Sequence, residues 1–333
     1  MSASQSKRFT WDNTKEFLFG PPFPNSAEIH ERLDNVRALA VFASDPISSN
    51  AYATEAIMSV LILLGSGALQ LTMPVAICIA VLIILVIFSY VQTIQHYPQG
   101  GGAYTVTKDN LGVMPSLFAA AALLVDYTLT VAVSVSAGIR AITSAFPSLA
   151  DHRLALALLA IVLLTWVNLR GVRESGSIFA LPTYAFIGGV LVVIITGLVR
   201  YTGLAGQPLS PHPVQIPPTD GLSQFAYIWL VLRAFAAGCT ALTGIEAISN
   251  GVQAFKPPEA KNASTTMVWM GVIAMTLFLG ISFLATHLSI VPSEHDSILS
   301  QMTRMVTGNG IVYYWVQLFT MLILVLAANT GYQ

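Results

Sequence analysis

Long apolar runs alternate with short polar stretches along the whole chain. A membrane span needs about 20 mostly apolar residues. On that basis the pattern predicts eight helices, at about 36–64, 71–92, 114–145, 153–169, 177–199, 223–252, 265–290 and 310–330. The first 35 residues are polar and carry Pro21, Pro22 and Pro24, so 1–35 reads as an N-terminal cytoplasmic segment rather than a cleaved signal. The outer stretch 200–222, with Pro208, Pro211, Pro213, Pro217 and Pro218, reads as an irregular connection. Gly100-Gly101-Gly102 reads as a tight turn, since no P-loop Lys-Ser/Thr follows it.

Two spans break the pattern. Helix 1 contains Ala43-Ser44-Asp45-Pro46-Ile47-Ser48-Ser49-Asn50, where Pro46 removes a backbone donor and disfavours helix at Asp45. Helix 6 contains Gly238-Cys239-Thr240-Ala241-Leu242-Thr243-Gly244-Ile245-Glu246. Unwound backbone at membrane depth survives only where protein or a watery cavity receives its polar groups. Breaks five helices apart match the related halves, helices 1–5 and 6–10, of secondary transporters, whose broken helices meet near the midplane. The first repeat then covers about 36–199 and an incomplete second one about 223–333.

Composition narrows the class. Hydrophobic residues make up 55% of the 333 and charged residues only 9%, against about 25% charged in soluble domains. Neither a water-soluble globule nor a disordered chain has those proportions. Nucleic-acid binding is disfavoured, because 15 basic residues balance 16 acidic ones without a basic stripe. With the N-terminus inside, ten lysines and arginines lie on the cytoplasmic side, against Arg140, Arg153, Arg200 and Arg304 outside. That bias predicts a multi-pass protein of the cytoplasmic membrane with its N-terminus in the cytoplasm, and lipid as its surroundings.

With charge so scarce, acids inside spans need a reason. Asp45, Glu55, Asp126 and Glu246 fall in or near them, and Arg233 is the basic residue well inside one. Asp126, Thr130 and Ser134 recur at i, i+4 and i+8, so their oxygens share one helix face beside Tyr127. Glu55 is expected to pair with Arg233, and Arg140 to snorkel to the interface. Cys78 and Cys239 read as small core side chains. The six histidines show no metal spacing, so neither a metal nor a cofactor is expected.

An ionised Asp45 would repel the carboxylate of an amino-acid substrate. Hard cations take oxygen ligands, and Asp45, Tyr52, Tyr127, Thr130, Ser134, Thr243 and Glu246 offer only oxygen. The side chains point to a cation without choosing among cations. An amino-acid or polyamine permease is the alternative. An intramembrane enzyme is disfavoured because GxGD, HExxH and G-x-S-x-G are all missing. No filter loop of a channel is visible between spans.

Four stretches carry a family resemblance: Phe42 to Ala56, Tyr97 to Tyr104, Leu124 to Gly138 and Gly238 to Ala247. They resemble the KimA-type potassium importers, in the KUP branch of the amino acid–polyamine–organocation superfamily. The resemblance runs from about residue 36 to the end. It implies an all-α polytopic membrane protein with the LeuT-like 5+5 inverted-repeat fold, proton-coupled potassium uptake, and a homodimer. By matching positions it implies potassium-binding or pathway roles for Asp45, Tyr52, Asp126, Tyr127, Thr130, Ser134, Thr243 and Glu246. Glu246 or Asp45 would carry the proton. Such proteins have twelve spans and a cytoplasmic C-terminal domain that binds a cyclic dinucleotide in some members. On that comparison the chain is expected to be truncated after helix 8, with the C-terminal domain absent.

Overall fold

The computed structural model describes residues 32–169, 176–204, 209, 214–219, 221 and 223–332. The N-terminal segment as far as residue 31 lies outside them, as do Arg170 and Arg173. The described chain forms α1 (Asn35–Phe42), α2 (Ser44–Leu61), α3 (Thr72–His96), α4 (Gly102–Leu111), α5 (Val113–Ala145) and α6 (Arg153–Leu169). It continues as α7 (Gly176–Tyr201), α8 (Gln224–Gly238), α9 (Ala247–Asn250), α10 (Glu259–His287), α11 (Ile298–Thr307) and α12 (Ile311–Thr330). Among the described residues, eight stretches are long and apolar enough to cross a membrane. They fall on the eight predicted spans.

The break in the first span is narrower than its sequence suggests. Only Ala43, with φ −97° and ψ 1°, leaves the helix, and α2 runs straight through Asp45 to Asn50. Pro46 is the third residue of α2, in the first turn, where a backbone N–H has no intrahelical acceptor to lose. The hydroxyls here turn back on their own helix: Ser44 Oγ donates to the Val41 carbonyl at 2.9 Å, and Ser48 Oγ to the Asp45 carbonyl at 3.0 Å. The second break is long, as expected. After α8 the chain tightens into a 3-10 turn at Cys239–Leu242, extends at Thr243 and resumes as α9.

The polar helix sits in the middle. α2 packs against α8, α12 and α10, and all of Ser44 to Ala51 is buried. α6, far more apolar, buries none of its residues and lies on the perimeter against α5. In lipid, exposed leucine costs nothing, so packing and interhelical polar contacts decide what goes inside. The same logic turns Cys78 outward on α3, correcting its reading as a core residue.

Two elements escaped the sequence reading. α4 follows the glycine turn. α11 buries Ile298, Leu299, Met302 and Val306 along one face, and Ser297 Oγ caps it by accepting from the Ser300 N–H at 3.1 Å. Both are too short to register as spans. They lie at opposite ends of the bundle. The near end carries Leu33, bridged to Phe255, and the Arg32–Glu259 ion pair. The far end carries α11 and the segment before it.

Candidate functional site

Asp45 stands in the first turn of α2, at the positive end of that half-helix. It is 5% exposed, and its Oδ1 has no hydrogen-bond partner among the described residues. Gly244, from the break after α8, lies directly against it. A Cβ added there would sit 2.5 Å from Asp45 Oδ2, and Gly244 holds φ +78°, which disfavours side chains as well. The two breaks therefore interlock, carboxylate against bare backbone.

Ser49 ties the helices together. Its Oγ lies 3.1 Å from the Tyr52 hydroxyl and 2.9 Å from Thr243 Oγ1, and it donates to the Asp45 carbonyl at 3.0 Å. Thr243 Oγ1 also donates to the Thr240 carbonyl at 2.9 Å. α5 closes the third side with Thr130 and Ser134, both buried on the face expected from their spacing. Ser134 Oγ is fully buried beside the Tyr52 hydroxyl.

Glu246 is buried at the start of α9, and Asp45 lies within electrostatic reach of both Glu246 and Asp126. Tyr127 and Tyr90 lie within electrostatic reach of Glu246, and Asn250 Nδ2 donates to the Tyr127 hydroxyl at 3.4 Å. Asp126 and Tyr127 are only half-buried. Seven of the eight residues singled out by sequence are thus linked by contact or electrostatic reach, and Thr130 is buried one turn before Ser134 on α5. Among the described residues, no trio of Asp, Glu, His or Cys converges to hold a metal ion. What meets here is a mixture of hydroxyls and separated carboxylates.

Sequence reasoning missed three participants. Ser49 lies four residues after Asp45, a spacing that would have found it. Gly244 and Asn250 left no such signal, because their roles depend on what packs against them. One expectation fails outright. Glu55 pairs with Arg140, not Arg233, and Arg233 lies exposed on α8. Arg140 does not snorkel: its guanidinium reaches Glu55 and the Ser293 carbonyl. A buried carboxylate took the cation that could reach it across the α2–α5 gap.

A family model described as amino acid permease matches residues 33–333. The chain belongs to the amino acid permease family. Membership sets the chain apart from intramembrane enzymes and accords with the eight membrane-length helices among the described residues. Potassium transporter KimA of Bacillus subtilis (strain 168) is 44% identical over 323 residues, which is 97% of this chain and 52% of that protein. The chain therefore spans about half the length of that curated relative.

Proposed function

We propose that the full-length protein imports potassium through the oxygens gathered between α2, α5 and the break after α8, driven by the proton gradient. The observation that carries this is the position of Asp45. A permease for amino acids must hold a carboxylate, normally on free N–H groups at the start of a broken half-helix. Here a carboxylate of the protein already fills the first turn of α2. Asp45 Oδ1, without a hydrogen-bond partner among the described residues, suits a cation that exchanges water for protein oxygen. The relative's name, potassium transporter, supports the same choice among cations.

Asp45, Tyr52, Asp126, Tyr127, Thr130, Ser134, Thr243 and Glu246 are the proposed ligands and pathway, with Glu246 or Asp45 carrying the proton. Interruption of the first and sixth spans, five helices apart, supports the LeuT-like inverted repeat. The lysine and arginine bias supports a cytoplasmic-membrane protein with a cytoplasmic N-terminus, which makes the far end the outer one. The resemblance extends the reading to a homodimer.

Growth rescue of a potassium-uptake-deficient bacterium at micromolar K⁺ tests the proposal. The full-length protein restores growth, and its Asp126→Asn variant does not. Failure of the parent, or equal rescue by Asp126→Asn, sinks the potassium assignment. The amino-acid alternative then predicts uptake of a labelled amino acid that K⁺ leaves unchanged.

A further inference from the structure

A cavity of about 400 Å³ lies between α2, α5 and α12 on the far side of Tyr52. Tyr52, Thr320, Ala137 and Ser297 line it, with Glu55 and Arg140 as its charged groups. Tyr52 is shared: it lines this cavity, and its hydroxyl meets Ser49 of the candidate site. Thr320 is 4% exposed and its Oγ1 has no partner among the described residues. The cavity therefore holds a buried carboxylate, an unengaged hydroxyl and a tyrosine, which are oxygen ligands for a cation. An arginine occupies the carboxylate.

That ion pair is also the joint of the far-end segment Ser289–Ser297. Glu55 Oε2 accepts the Ile298 N–H at 3.1 Å, so the carboxylate holds the start of α11. Arg140, besides pairing with Glu55, donates to the Ser293 carbonyl. The other charged groups around the segment hold it without touching the cavity. Arg153 donates to the Glu294 and His295 carbonyls at 2.9 and 3.3 Å, and Arg304 pairs with Asp296 at 2.9 Å. Ser297 is the residue of this segment that lines the cavity, so releasing Glu55 from Arg140 would free that edge of a partly open cavity while these two pairs keep the rest attached.

We propose that Glu55 and Arg140 form a cation-displaceable latch on the outer entrance, and that the cavity is an antechamber where a monovalent cation first meets the protein. A cation that takes over Glu55 displaces Arg140 and loosens the segment above it. By linkage, an open segment then favours cation binding by the same factor. The identity of the cation rests on the potassium reading above. The latch itself rests on the ion pair and the segment it holds.

The test places a cysteine at Ala137, inside the cavity, in the full-length protein. Cells are exposed to a membrane-impermeant maleimide, and the protein without the added cysteine gives the background from its native cysteines, Cys78 and Cys239 among them. Arg140→Gln is expected to speed labelling at least about fivefold in potassium-free medium, and Arg140→Lys to restore much of the slow rate by keeping the charge. External K⁺, compared with choline, is expected to speed labelling with Arg140 intact, and Glu55→Gln to abolish that response. If Arg140→Gln yields aggregated protein, Ile298→Pro replaces it with the same expected gain. Proline suits the first position of a helix, so this change removes only the N–H arm of the latch and the isoleucine side chain.

Labelling no faster in the latch variants than in the parent overturns the proposal, as does a K⁺ response that survives Glu55→Gln. The potassium-free arm separates this result from failure of the transport reading. Fast labelling of Arg140→Gln in a protein that does not take up K⁺ would keep the latch and discard its potassium ligand.

Discussion

The two ends of the bundle close in different ways. At the far end four arginines, all the basic residues assigned to that side, are spent on the connection around α11. Arg140 and Arg153 donate to carbonyls of Ser293, Glu294 and His295, Arg200 donates to the Val306 carbonyl at 2.6 Å, and Arg304 pairs with Asp296. Tyr313 joins them, accepting from Arg304 at 2.8 Å and donating to the Ser144 carbonyl at 3.0 Å. At the near end the closure over Glu246 is steric. The glycine turn before α4 lies flush against the end of α9, and the polar tie between Asn250 and Tyr127 is 3.4 Å long; the Arg32–Glu259 pair of this end joins the residues before α1 to the start of α10 instead. Charge-assisted hydrogen bonds are roughly twice as strong as neutral ones. In the conformation described, the far end is therefore the more heavily bonded door.

Between the doors stands the Asp45–Gly244 contact, and breaking it should have the largest effect. Gly244→Ala puts a methyl 2.5 Å from Asp45 Oδ2 at a φ of +78°. Tracer rubidium uptake by the full-length variant should fall to background while membrane insertion persists. Uptake within twofold of the parent would mean the two breaks do not form one site.

The next effect tests the more heavily bonded door. Glu55→Gln leaves Arg140 without its carboxylate. Losing one partner of a fully buried pair costs about 3–5 kcal/mol. Arg140 is 30% exposed, so about 2 kcal/mol is the fitting scale for this pair. Thermal unfolding in detergent should show a lower midpoint, and Glu55→Gln with Arg140→Gln should recover part of the loss. Additive losses in the double variant would break the pairing argument.

The smallest effect belongs to the near-end door, and it discriminates between neighbouring glycines. A Cβ on Gly100 would meet the Asn250 backbone oxygen at 2.6 Å, whereas one on Gly102 meets Asn250 Oδ1, the end of a side chain that can rotate away. Gly100→Ala should cost about 1 kcal/mol or more, and Gly102→Ala less. Cysteine labelling from the near side should follow the same order. The reverse order would show that the turn is not seated on α9.

Most of the architecture was legible because lipid imposes a length rule that sequence states directly. The α5 oxygens were legible for a similar reason: Thr130 and Ser134 share a face whatever packs against it. Pro46 misled, since a proline in a first turn and one in a broken helix look alike until the helix start is known. Glu55 misled too. Arg233 was the more conspicuous cation by depth, but only the crossing of α2 and α5 shows that Arg140 is within reach.

The sequence by itself determined the eight spans, the two interrupted ones and the roster of oxygens at the candidate site, because apolar length and helical spacing are local quantities. Its 9% of charged residues made each buried acid conspicuous. The tertiary structure decided which charges meet. It set Asp45 against Gly244, gave Glu55 to Arg140, and used the far-end arginines to hold a connection rather than face water. Pairing energies depend on distance across helices, and helix crossings are written in no single segment of the chain.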